Sequence, residues 1–229
     1  MKRTDFVFMA AFAAIFVPFF LSDNLYAFFM NFTTEWAFTA SFIKFALLAT
    51  MGEMLGLRIR TGRYTAPGFG LLPRAMVWGF LGMTVKAAFL IFGAGVPSVA
   101  SQLGMSDTAA VMTGGITAAK VILAFSISFF LNIFYAPVLM VTHRISDLHI
   151  GATGGTLAGF FTVPDTAGLL KQIDWKMMWG FVLKKTIPLF WIPAQTVTFL
   201  MPAEFQILFA AILSIVLGVI LAFAAAGKE

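Results

Sequence analysis

Apolar residues fall in six long blocks, at residues 6–21, 36–57, 75–96, 116–141, 176–201 and 203–226. A helix needs about 20 predominantly apolar residues to cross the hydrocarbon core of a bilayer, so each block predicts a span. The first block is short and has Pro18 near its end, and residues 25–32 offer a way to complete it. The one long connection, residues 142–175, is Gly-rich at Gly151, Gly154, Gly155 and Gly159. It still carries Leu157, Phe160, Phe161, Leu169 and Leu170, which predicts a short interfacial or re-entrant segment. No internal repeat or low-complexity linker divides the chain. The pattern predicts an all-α fold, a polytopic transmembrane helical bundle forming a single domain over residues 1–229.

Composition sharpens this reading. The chain is 60% apolar and 11% charged, with 28 Phe and a mean hydropathy of +0.94. Ordinary soluble domains are about a quarter charged, so a soluble enzyme, a nucleic-acid-binding domain and a disordered chain are all disfavoured. Zero Cys excludes disulfides, thiolate catalysis, iron–sulfur clusters and zinc–thiolate sites.

The excess of Lys and Arg then becomes a statement about orientation. With six spans, one side collects Lys2, Arg3, Arg58, Arg60, Arg63, Arg74, Arg144, Lys171, Lys176 and Lys228, while the opposite connections carry no Lys or Arg. Basic loops stay cytoplasmic, so both termini are expected on the cytoplasmic side. Lys2-Arg3 before an apolar run resembles a signal peptide, but residues 20–23 are poorly shaped for cleavage. The first block is therefore read as a retained span. In the absence of a long Arg- and Ser-rich presequence, the expected location is a prokaryotic plasma (inner) membrane.

Five lysines remain inside the apolar blocks: Lys44, Lys86, Lys120, Lys184 and Lys185. At a rise of 1.5 Å per residue, Lys86 lies roughly 18 Å past Arg74 and Lys184 roughly 12 Å past Lys176. A Lys at mid-span costs about 2.5–3.5 kcal/mol. Lys120 sits near a block end, where snorkelling explains it, and Lys44 has the same option. Lys184 and Lys185 are adjacent, so at most one faces the bundle centre. Glu53 is the only carboxylate clearly inside a block and is the candidate counter-charge or gate. Several cations against one anion leave the interior electropositive, a condition that water or a bound anion would relieve.

Uncharged polar residues line up with these charges. Lys184, Pro188, Trp191, Gln195 and Thr198 or Phe199 recur at helical spacing, as do Ser128, Asn132 and Tyr135. The first stripe is either a pore wall or an ordinary helix–helix seam. Gly79 and Gly82 align with Lys86, and close helix packing explains them better than a lining role does. The last block has almost no polar side chain and is expected to face lipid. His143, Asp147 and His149 lie close in sequence, but their spacing lines one helical face poorly, so a solvated loop is expected rather than a metal site. No P-loop, His-Glu-x-x-His, Gly-x-Ser-x-Gly or Ser-x-x-Lys motif occurs. No cofactor and no enzymatic activity are expected.

Residues 191–195, Trp-Ile-Pro-Ala-Gln, followed by Phe199 and then Pro202-Ala-Glu-Phe-Gln206, resemble the signature of the Mpv-seventeen / PMP-twenty-two family. Gly52-Glu53 stands where that family has Gly-Asp, Arg74 with Gly79 and Gly82 matches its Arg…Gly-x-x-Gly run, and Lys120 matches a Lys opening a later helix. The resemblance spans residues 45–225 and is most specific at 191–209. There are departures: Thr198 replaces an Asn, Gln206 an Arg and Met83 a Pro, Met201-Pro202 comes one residue early, and Ala124-Phe125 stands for Asp-Gln. The resemblance implies a small polytopic membrane protein, of the kind found in peroxisomal and inner mitochondrial membranes, forming a pore for small solutes. It implies no catalytic residue.

The sequence therefore predicts a membrane channel or transporter for small anionic solutes. Lys44, Lys86 and Lys184 would supply positive lining, and Trp191, Gln195, Asn132 and Tyr135 would shape the path. The expected partners are the lipid bilayer and the anionic solute, with no nucleic acid; oligomeric state is left open. The rival readings are a non-transporting scaffold or assembly factor, a substrate-capture subunit of a larger transporter, and an intramembrane enzyme acting on lipid headgroups.

Overall fold

The computed structural model describes residues 2–226, and side chains as far as residue 220. Lys228, counted above among the flanking cations, lies outside the described residues. The described residues are mostly helical, with no strand among them. In order they form α1 (Arg3–Leu21), α2 (Asp23–Glu35), α3 (Ala37–Thr61), α4 (Leu71–Gln102), α5 (Thr108–Thr113), α6 (Ala118–Phe134) and α7 (Ala136–Ala152). Then come α8 (Leu157–Phe160), α9 (Thr166–Lys171), α10 (Trp175–Met177), the π-helix π1 (Met178–Trp191), α11 (Ile192–Leu200) and α12 (Ala203–Ala226).

Four of these helices, α1, α3, α4 and the 203–220 part of α12, are long and apolar enough to cross a membrane. A fifth is added if α6 and α7, which meet at a bend of 43°, count as one span. By length and composition the chain is an integral membrane protein of several crossings.

The differences from the expected blocks have local causes. Residues 25–32 do not complete α1, because Ser22 breaks the helix and its hydroxyl accepts from the Leu25 N–H at 3.4 Å, capping α2. The block at 116–141 does not run straight. Pro137 stands at the start of α7, where its missing N–H is tolerated, so it opens a second helix that continues to Ala152. The block at 176–201 is not one regular helix. It is a short α turn, a 14-residue π-helix containing Pro188, and then α11 opened by Pro193.

Packing centres on α3, held between α4 and α12. Small residues permit both approaches. A Cβ at Gly82 would lie 2.6 Å from the Phe45 Cβ and 2.7 Å from the Ser41 carbonyl oxygen, and one at Gly79 would meet the Phe42 ring at 2.5 Å. On the other side, a Cβ at Gly52 would come within 3.0 Å of the Ile215 Cα. Gly79 and Gly82 of α4 are thus buried in the seam with α3, as close packing requires. The core gathers Phe45 and Leu48 of α3, Val85 and Phe89 of α4, Ile127 of α6, Phe199 of α11 and Ile207 of α12. The last helix is therefore not simply lipid-facing: Ile207, Ala210, Ala211 and Leu213 are buried. Uniform apolarity concealed which side of it packs. α1, by contrast, buries none of its residues.

Candidate functional site

Polar side chains collect at three levels of the bundle. At the first, Lys44 of α3 and Lys86 of α4 face one cavity of about 130 Å³, with Thr33 and Thr34 of α2, Ser41 and Glu204 in its wall. The antiparallel seam of α3 and α4 brings the two lysines to one height. Lys44 is 8% exposed; its ammonium donates to Thr33 Oγ1 at 2.8 Å and lies 4.6 Å from the centre of the Phe29 ring. The ring face and the hydroxyl stabilise the charge without neutralising it. Among the described residues, neither lysine has a carboxylate oxygen within 4.0 Å. Glu204, at the mouth of α12, is the one carboxylate lining this cavity. Sequence reasoning gave it no role; it is the second residue of the last block and stands in the first turn of α12.

The second level is a smaller cavity of about 50 Å³, which brings together Asn132, Tyr135, Trp191 and Gln195 between Phe45, Phe89 and other apolar walls. Asn132 Nδ2 donates to the Ser128 carbonyl at 2.9 Å, and the Tyr135 hydroxyl bonds Thr84 Oγ1 at 2.7 Å. Trp191 Nε1 and Gln195 Oε1 are buried with no partner among the described residues. The carbonyl of Ile192, at the junction of π1 and α11, accepts from Ser128 Oγ at 2.7 Å and Thr196 Oγ1 at 2.8 Å. These bonds tie α6 to the junction and hold Trp191 and Gln195 against the cavity.

Lys184 is not in either cavity. It and Lys185 are exposed, and Lys185 sits 6.0 Å from the Phe181 ring centre. The reason is the π-helix: with i→i+5 bonding each turn takes in more residues than an α-helix. Residues seven apart, which an α-helix nearly superimposes, then point in different directions, so Lys184 leaves the Trp191 face. Lys120 is buried near the start of α6, where its ammonium donates to the Gly114 carbonyl at 2.7 Å.

The third level surrounds Glu53. Its carboxylate accepts from Arg74 at 2.5 Å, from Trp78 Nε1 at 2.7 Å, and bonds His143 Nε2 at 2.9 Å. Arg74 also bonds Asp147 and donates through Nε to the Phe69 carbonyl at 2.6 Å. The Trp78 and His143 rings lie 4.3 Å apart. One guanidinium thus joins a carboxylate of α3 to one of α7, while itself belonging to α4. Trp78 also lines the second cavity, so the two levels share a wall. Glu53 does not serve the lysines as counter-charge; Arg74 and His143 occupy it instead.

His143 and Asp147 are not in a solvated loop. They lie one turn apart on α7, which outlasts its apolar block, and both face this cluster. His149 is separate, buried with Nε2 3.1 Å from the Phe160 carbonyl. The ligand atoms of Glu53, His143 and Asp147 fall within 4.8 Å of one another, near enough to hold a metal. Arg74, however, already bridges the two carboxylates and supplies the positive charge there. Sequence reasoning counted Arg74 as a loop cation; the i,i+4 spacing of His143 and Asp147 was the signal that could have revealed their shared face.

The chain matches no family model, no curated protein and no solved structure.

Proposed function

We propose that the protein is a membrane channel or carrier for small anionic solutes. The observation that carries this reading is the pair Lys44 and Lys86, facing one polar cavity with a single carboxylate in its wall. Two ammonium groups near each other in a bilayer repel, and each is costly to keep dehydrated. A small anion bridging them relieves both costs. Thr33 Oγ1 accepts from Lys44 and so keeps its own O–H free to donate to an anion's oxygen, and Glu204 at the rim weakens binding enough to permit release. Beyond the lysines, the second cavity offers Trp191 Nε1 as a further unused donor. The two cavities are separate, and Phe45, Phe89 and Ile207 stand in their walls, so passage requires these side chains to move.

The rest of the reading follows the basic residues and the resemblance. Six crossings with both termini cytoplasmic, a prokaryotic plasma membrane and distant membership of the Mpv-seventeen / PMP-twenty-two family are all part of the proposal. In that topology α10, π1 and α11 together make the irregular fifth crossing, and the Arg74 cluster lies near the cytoplasmic mouth.

The test is flux in vesicles reconstituted with the full chain. Lys44→Gln with Lys86→Gln should cut anion flux about tenfold or more, or reverse the preference of anion over cation. Lys184→Gln, outside both cavities, should leave flux near wild type. If the double variant keeps full flux and selectivity, the lysine cavity does not conduct anions and the reading fails.

A further inference from the structure

α1 packs Phe12, Ile15 and Phe16 against the core without burying any residue fully, and between it and the α3–α12 face runs a groove of about 610 Å³. Met9 and Phe12 form one wall, Met51, Leu55 and Ile59 the other, with Ile215 contributed by α12. At one end the groove is closed by a polar clamp. Both Asp5 carboxylate oxygens accept from Arg58, at 2.8 and 3.0 Å, and Asp5 also accepts from Tyr64 Oη at 3.1 Å and the Lys2 N–H at 2.6 Å. Phe8 stacks on Tyr64 with ring centres 4.5 Å apart. This clamp fixes the distance of α1 from α3 at that end.

The clamp satisfies itself but not its surroundings. Residues 2–5 and 58–64 contain five cations, Lys2, Arg3, Arg58, Arg60 and Arg63, against the one carboxylate of Asp5. Lys2, Arg3, Arg60 and Arg63 are exposed, and among the described residues none has a side-chain nitrogen within 4.0 Å of a carboxylate oxygen; Arg60 turns back onto the Gly56 carbonyl, on the α12 side of α3, and leaves Lys2, Arg3 and Arg63 at the clamped end. Lys2 Nζ reaches only the Gly62 carbonyl, at 3.5 Å. The groove is therefore apolar along its length and cationic at one end.

We infer that this groove is a binding site for an anionic phospholipid, with an acyl chain between α1 and α3 and the phosphate at the clamped end, beside Lys2, Arg3 and Arg63. Apolar walls at bilayer depth take hydrocarbon in preference to water, which accounts for the chain. The unpaired rim accounts for the headgroup, because a cluster of Lys and Arg beside a span selects anionic over zwitterionic lipid. The site concerns a lipid held by the bundle's outer face and does not depend on solute transport.

The experiment is native mass spectrometry of the full chain purified from nanodiscs containing phosphatidylglycerol and phosphatidylcholine in equal amounts. Wild type should retain phosphatidylglycerol about tenfold over phosphatidylcholine. Lys2→Gln with Arg63→Gln should bring the two lipids close to parity, since each cation near the surface adds measurably to headgroup attraction. Leu55→Trp, filling the groove, should abolish retention of both; if that variant does not fold, Met9→Trp on the opposite wall carries the same expectation. Equal retention by wild type, an undiminished preference in the double Lys2/Arg63 variant, or full retention in the filled groove would each overturn the assignment.

Discussion

Arg74→Leu is expected to destabilise the folded protein by about 3–5 kcal/mol, the usual consequence of removing one partner from a buried charge network. Glu53 and Asp147 are each only 18% exposed at the side chain, and Arg74 is the group that joins them. Without it two carboxylates face each other across the α3–α7 junction, with His143 alone between them. Arg74→Lys should cost less but remain harmful, because an ammonium keeps the charge and loses the planar fork that reaches Glu53, Asp147 and the Phe69 carbonyl together. The decisive variant is the triple Arg74→Leu, Glu53→Gln, Asp147→Asn. It removes the charges on both sides and should regain most of the loss. Unfolding in mixed detergent micelles measures each term. A loss below about 1 kcal/mol for Arg74→Leu would mean that water already solvates the cluster.

Gly82→Val is expected to destabilise somewhat less, and for a steric reason. Its new Cβ would lie 2.7 Å from the Ser41 carbonyl oxygen, which is backbone, as well as 2.6 Å from the Phe45 Cβ. Neither atom is the end of a flexible side chain, so α3 and α4 must separate. Overpacking of this kind costs typically 1–3 kcal/mol, and the separation would fall at the height where Ser41, Lys44 and Lys86 share a cavity. Gly93→Val on the same helix is the control, since a Cβ there meets nothing within 4 Å. Thermal unfolding should separate the two variants clearly, and anion flux should fall with Gly82→Val but not with Gly93→Val. Equal stability of the pair would show that the seam opens without strain.

Much of this architecture was legible because length and apolarity are local properties. The block at 36–57 begins at the N-cap of α3 and otherwise lies inside it, the block at 75–96 lies inside α4, and the Gly79–Gly82 spacing marked their seam. Lys44 and Lys86 stood out because nothing on their own helices could neutralise them. Lys184 was misplaced for a definite reason: the stripe assumed 100° per residue, and π bonding over Met178–Trp191 changes that angle. His143 and Asp147 were read as loop because the apolar block stops at residue 141, although α7 runs on to Ala152. Helix continuation past an apolar block depends on a polar partner elsewhere in the fold, here Glu53 and Arg74, and no local pattern announces that partner. Pro137 carried the same ambiguity, since a proline can end one helix or begin the next.

Twelve residues separate Arg74 from Lys86 along α4, about 18 Å at the rise of a helix, while the hydrocarbon core of a bilayer is about 30 Å thick. Wherever water reaches both stations, an applied voltage would drop mainly over the packed side chains between them rather than over the full membrane. The field there would be correspondingly steep. An elementary charge carried across that short stretch would gain or lose most of the about 2.3 kcal/mol that 100 mV supplies, so small movements of Trp78 and Val85, which lie between the two stations on α4, would meter a large share of the electrical work.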